Sequence, residues 1–84
     1  MAKWIKTSGE TIEVQPKNGT DYSLEELQGF VGGYIEIVYL NNDRIMVVNE
    51  EGIIENLPFN EKASNIVRQL IAGDVLVCKS DEVK

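Results

Sequence analysis

Polar and apolar residues alternate along Lys3–Thr7 and again along Thr11–Gln15, with Ser8-Gly9 between the two runs. A period of two rich in β-branched residues marks strands, so the pattern predicts two strands joined by a tight turn. Pro16 cannot donate to a ladder and Asn18-Gly19 is a turn signal, which takes the chain out of the sheet. Ser23-Leu24-Glu25-Glu26 then reads as a capping box. In that motif the Ser23 hydroxyl accepts from the third helical amide while Glu26 reaches back to the cap. Leu24, Leu27 and Val31 follow on one face of a short helix, and Gly32-Gly33 suits its left-handed end.

Tyr34–Leu40 and Arg44–Asn49 are β-rich runs separated by Asn41-Asn42-Asp43, the pattern of a hairpin. Tyr34, Glu36 and Val38 are expected on one face, with Ile35, Ile37 and Tyr39 on the other. The unbroken apolar run after Arg44 predicts a central strand covered on both sides. Glu50-Glu51-Gly52 is a turn, and Ile53-Ile54 is expected to add a short return strand before Pro58. Ala63, Ile66, Val67, Leu70 and Ile71 form a full helical stripe, which predicts an amphipathic helix from Asn60 or Glu61 to Gly73. Val75–Cys78 reads as the closing strand. The order ββ-α-βββ-α-β predicts an α+β fold over residues 1–79, its two helices packed on a mixed, mainly antiparallel sheet. Residues 80–84 are expected to be a flexible polar tail.

The chain has 84 residues, 43% of them hydrophobic and 26% charged, which fits one globular domain with a small core. Its longest apolar runs, Ile45–Val48 and Val75–Cys78, are too short to span a bilayer. No charged segment followed by an apolar one opens the chain, so a secretory signal is not expected. The expectation is a cytoplasmic protein without membrane association. Histidine is absent and Cys78 is the sole cysteine. Those two facts exclude Ser-His-Asp and Cys-His catalysis, His- or Cys-based zinc sites and a disulfide within the chain. Cys78 lies in an apolar run and reads as a packing residue suited to a reducing compartment.

The net charge of −6 is unevenly spread: zero over residues 1–22, −7 over residues 23–61 and +1 over residues 62–84. A basic stripe is missing, so direct nucleic-acid binding is not expected. The acidic segment serves solubility, or imitates a run of phosphates. Gly29, Gly32 and Gly33 lack the Gly-Lys-Ser/Thr of a phosphate loop, and the Asn41–Asp43 turn lacks the spacing of a calcium loop. No cofactor or metal is expected. Glu36, set between isoleucines and sharing a face with Tyr34, is the most distinctive acid. Asn49, Glu50 and Asn56 stand around the second hairpin. Each has a structural alternative: Glu36 simply facing water, the others serving as turn and cap residues.

Four stretches carry a family resemblance: Val14–Glu36, Val48–Gly52 (V-N-E-E-G), Leu57–Ser64 (L-P-F-N-E-K-A-S) and Ile71–Val77 (I-A-G-D-V-L-V). Together they resemble the proteins catalogued as domain of unknown function 3846. The resemblance implies a bacteriophage or mobile-element accessory protein acting in a bacterial cytoplasm, and it brings no catalytic residue. Its motifs single out Gly33, Tyr34, Glu36, Asn49, Glu50, Gly52 and Asn60; the two glycines and Asn60 have a purely structural alternative. With Arg44 as a cation for an anionic ligand, the candidate binding residues are Tyr34, Glu36, Asn49, Glu50, Asn60 and Arg44. The expected function is non-enzymatic binding of a host protein or a small polar ligand, such as a nucleotide defence signal, in the service of counter-defence. The alternatives are an acidic nucleic-acid mimic that blocks a DNA-processing enzyme, a structural adaptor, or an enzyme relying on Glu36 or Glu50. Homo-oligomerisation is expected as well, because so small a domain gains stability from an interface.

Overall fold

Five short strands form one sheet in a computed structural model that describes residues 2–83. They are β1 (Ala2–Ile5), β2 (Thr11–Val14), β3 (Ile35–Tyr39), β4 (Arg44–Asn49) and β5 (Val75–Lys79), in the spatial order β2-β1-β5-β4-β3. Every neighbouring pair is antiparallel, so no mixed pairing occurs within this sheet. Two helices, α1 (Leu24–Val31) and α2 (Glu61–Val67), complete an α+β fold.

Side-chain alternation along the central strands explains where the helices go. Ile45, Val47, Leu76 and Cys78 point to the face where Leu27 and Val31 of α1 are buried. Met46, Val48, Val75 and Val77 point to the opposite face, where they meet Ala63 of α2 together with Ile71. The helices therefore cover opposite faces, and Ile45–Val48 is buried on both sides as its apolar run requires. Complete burial of Met46, Val47, Val75 and Leu76 contributes about 1.5–3 kcal/mol for each side chain.

The first helix starts as expected. Ser23 Oγ accepts from the Glu26 amide at 3.1 Å and Glu26 Oε1 accepts from the Ser23 amide at 2.9 Å. Gly32 ends it at φ 81°. Leu24, however, is 58% exposed, and Phe30 takes its place against the core. Phe30 stacks edge-on with both Trp4 and Tyr22, at centroid separations of 5.3 and 5.8 Å. Trp4 Nε1 also donates to the Phe30 carbonyl at 3.1 Å.

Three further expectations are corrected. Ile53-Ile54 is no return strand: residues 50–56 form consecutive turns, with the Glu55 amide donating to the Glu51 carbonyl at 2.8 Å. Gly52 makes this turn lie flat on the chain before β5, since a Cβ there would sit 2.5 Å from the Ala72 carbonyl oxygen. The second helix stops well short of Gly73. Arg68 turns left-handed at φ 57° and its amide caps the Ser64 carbonyl. Ser64 Oγ then accepts from the Ile71 amide at 2.9 Å, and the Ile71 carbonyl accepts from the Asn60 amide at 2.9 Å. The chain thus folds back beside the helix start, leaving Ile66 and Leu70 exposed. Finally, the tail is not loose as far as Val83: Ser80–Glu82 forms a 3-10 turn, and Val83 packs on the α1 side beside a bridge to Tyr22. Lys84 lies outside the described residues.

Asn60 holds these pieces together. It is 1% exposed, its Oδ1 caps α2 through the Ala63 amide at 3.1 Å, and its Nδ2 donates to the carbonyls of Ile5 and Gly73, each at 3.0 Å. Asn60→Ala loses the cap and strands two carbonyls, so about 3 kcal/mol of stability is expected to go in urea titrations. Asn60→Asp keeps the cap oxygen yet faces both carbonyls with a carboxylate. It is expected to be no more stable than the alanine variant; a neutral Asp variant would mean that capping is all Asn60 does. Cys78 offers a second check. Burial first, and then Glu82 and Asp81, push its thiol up to about 12. A disulfide reagent at pH 8 is expected to modify it only as fast as the chain unfolds, tracked in parallel by circular dichroism.

Candidate functional site

Two predicted binding residues are spent inside the fold. Asn60 is the buried clamp already described. Asn49, 6% exposed at the end of β4, donates from Nδ2 to the Val31 carbonyl at 3.1 Å and accepts at Oδ1 from the Glu51 amide at 2.8 Å. Its carboxamide ties the end of α1 to the turn that follows β4. Gly33 belongs to the same arrangement, because a Cβ there would press to 3.0 Å from Asn49 Nδ2. Arg44 stands at the other end of β4, opposite Lys79 and next to the hairpin loop. Five steps along the strand, about 17 Å, separate it from Asn49.

Tyr34, Glu36 and Glu50 do come together, around the 50–56 turn. On its α2 side a shallow cleft of about 130 Å³ is lined by Glu36, Val38, Glu50, Ile53, Ile54 and Leu70, among others. On its other side a cleft of about 220 Å³ lies between Tyr34, Gly33, Gln28, Glu51 and Glu55. Ile54 is 79% exposed and Leu70 61%, and Tyr34 and Ile53 are also largely open to water. Four acids therefore stand near four exposed side chains that are largely apolar, and among the described residues no lysine or arginine lines either cleft. Ile53, Ile54 and Leu70 were assigned by pattern to a strand and a helix, so sequence reasoning missed them as surface residues. Asn56 carried a usable signal: it is left-handed at φ 56°, a conformation asparagine tolerates and a strand does not contain.

A wider groove of about 680 Å³ runs beside α1, between Trp4, Val14, Phe30 and the acids Glu25 and Glu26. Lys6 Nζ lies 4.7 Å from the Trp4 ring centroid, so that ring already has a cation from its own chain. Glu26 is occupied too. It accepts from the Ser23 and Lys17 amides, and these hydrogen bonds hold its carboxyl below the ordinary value of 4.5. Among the described residues, no group of three or more acids or Cys78 is placed to hold a metal ion.

Residues 5–84 match the family model described as a domain of unknown function, DUF3846. The chain belongs to that family. No curated protein and no solved structure matches it. What this DUF3846 domain brings together around the 50–56 turn is therefore read from its own geometry: apolar side chains and carboxylates on a surface.

The Glu26 carboxylate gives a pH dependence with a definite sign. Its pKa is lowered on folding, so its stabilisation is complete above the ordinary value of 4.5 and is lost as the pH falls through the folded value. Glu26→Gln is expected to melt lower than the parent at pH 7, with the gap closing as the pH drops below 4.5. A gap that stays constant from pH 7 to pH 3 would show that the charge plays no part.

Proposed function

We propose that this DUF3846 domain is a non-enzymatic binding module whose partner is a polypeptide. The docking surface is the end of the sheet formed by Tyr34, Glu36 and the 50–56 turn. One observation carries the reading: on the two sides of the 50–56 turn, exposed Ile53, Ile54 and Leu70 share a cleft with Glu36 and Glu50, and exposed Tyr34 shares another with Glu51 and Glu55. Aromatic and aliphatic anchors inside a charged rim are what a protein interface uses. The two clefts there, about 130 and 220 Å³, fall below the roughly 300–1,000 Å³ of small-molecule sites. Their carboxylates also disfavour a nucleotide, whose phosphates need cations or free amides.

Mimicry of nucleic acid has less support. Glu25 and Glu26 begin α1 and Glu61 begins α2, on opposite faces of the sheet, so the acids of residues 23–61 do not follow one line. In the bacteriophage or mobile-element setting that the family resemblance implies, the module acts by occupancy. It covers a surface of a host protein in the bacterial cytoplasm, with counter-defence as the purpose.

Native mass spectrometry of the full chain, isolated with its partner from the cells that carry it, tests the reading. A stoichiometric polypeptide complex is expected. Ile54→Asp and Leu70→Asp should each weaken it at least tenfold while the thermal melt stays within a few degrees, both side chains being exposed. A small molecule bound in place of a polypeptide, or a complex indifferent to both substitutions, overturns it.

A further inference from the structure

Among the described residues, strand β3 is paired on one side only. The Glu50 amide donates to the Tyr34 carbonyl at 2.9 Å, and the Leu40 amide donates to the Arg44 carbonyl at 2.8 Å. With Ile35 opposite Asn49 and Tyr39 opposite Ile45, these bonds turn the backbone groups of even-numbered β3 residues toward β4. Ile35, Ile37 and Tyr39 turn theirs outward, and among the described residues no backbone hydrogen bond reaches them. Edge strands are ordinarily blunted by lysine, proline, a bulge or a covering element. The other edge shows such blunting. Strand β2 is shorter, Pro16 follows it closely, and Lys62 Nζ reaches Thr11 Oγ1 at 3.4 Å. Strand β3 reads Ile-Glu-Ile-Val-Tyr, with no such device.

We propose that the partner adds a β-strand to this free edge, and that the added strand is an extended segment with lysine or arginine at alternate positions. This rests on the docking reading above and names the recognition mode within it. An incoming strand completes the hydrogen bonds of Ile35, Ile37 and Tyr39, and its side chains alternate between the two faces. On the α1 side they meet Ile35 and Ile37, which suits aliphatic residues. On the α2 side they pass Glu36 and reach the cleft holding Glu50, Ile53, Ile54 and Leu70. A long basic side chain fits there in both halves: its methylenes lie along the apolar residues while its head meets the carboxylates. A second copy of this chain fits less well. Antiparallel self-pairing centred on Ile37 sets Glu36 opposite Val38, and it brings the carboxylates beside β3 in both copies, those of Glu36, Glu50, Glu51 and Glu55, toward one seam.

Amide hydrogen exchange on the full chain, with and without a synthetic peptide of about seven residues alternating lysine and valine, tests this. The peptide is expected to slow exchange at Ile35, Ile37 and Tyr39 tenfold or more, with little change at Glu36 and Val38, which already face β4. Glu36→Gln combined with Glu50→Gln should weaken peptide binding about tenfold, and a peptide with glutamate for lysine should not bind. No protection at the three outward amides overturns the proposal. So does protection that appears without peptide and grows with protein concentration, which would assign the edge to a second copy. Tyr39→Pro separates strand addition from docking, because it removes one outward amide and no ladder bond, whereas Tyr39→Ser removes only the ring. Partner binding lost in Ile54→Asp and in Tyr39→Pro, but kept in Tyr39→Ser, supports both readings. Binding lost in Ile54→Asp and intact in Tyr39→Pro leaves docking standing and ends strand addition.

Discussion

A single buried carboxamide decides how the second half of this chain folds. The Asn60 side chain joins the end of β1, the start of α2 and the residue two places before β5, through Ile5, Ala63 and Gly73. A helix of seven residues has little intrinsic stability, so α2 depends on being held at its start and pressed on the sheet. Asn60 does the holding, and Ala63 and Val67 pack the helix on the sheet. Because the same amide anchors the chain before β5, the central strand and the helix over it are set by one polar contact. Burial makes the contact strong, and it also makes any unpaired member of it costly.

The remaining architecture follows from two-sided burial. With α1 on one face and α2 on the other, the runs Ile45–Val48 of β4 and Val75–Cys78 of β5 are buried, and they carry no charge. Asn49 is the polar exception at the end of β4, and its hydrogen bonds to Val31 and Glu51 satisfy it. This asparagine explains how the 50–56 turn is launched away from the sheet instead of returning to it. Its carbonyl oxygen captures the Glu51 amide, which would otherwise begin a ladder, and Gly52 then lies against the Ala72 carbonyl where no side chain fits.

Most of the fold was legible in the residues: the first hairpin, the Ser23 capping box, the alternation of Ile35–Val38 and the buried run of β4. These signals are local, carried by a period, a cap or a turn residue. The misread parts answer to distant contacts. Ile66 and Leu70 have helical spacing, yet Ser64 and Asn60 capture both backbone groups of Ile71 and end α2 early. Ile53-Ile54 has strand composition, yet the Asn49 and Gly52 contacts close it into a turn. The candidate site shows the same division. Glu36, Glu50 and Tyr34 stood out by residue type, whereas Ile53, Ile54 and Leu70 joined them only because two elements failed to form where their composition pointed. Asn49 and Asn60 stood out for the opposite reason, as polar residues in conspicuous motifs whose hydrogen bonds all turn inward.

The acidic middle of the chain and the bare edge of β3 make sense together. A flat apolar edge strand is an aggregation hazard, and a protein can guard it with charge of one sign instead of with proline or a bulge. Here the carboxylates stand beside the edge, on Glu36 and around the 50–56 turn, and leave the outward amides open. Such an arrangement repels copies of the chain and of any acidic protein over roughly a Debye length, about 8 Å in physiological salt. It attracts a basic strand over the same range. In the proposed binding mode, protection against self-pairing and selectivity for a basic strand would have one electrostatic cause. In the proposed strand addition, the carboxylates of Glu36, Glu50, Glu51 and Glu55 would guard the edge against copies of the chain while leaving its outward amides open to a basic strand.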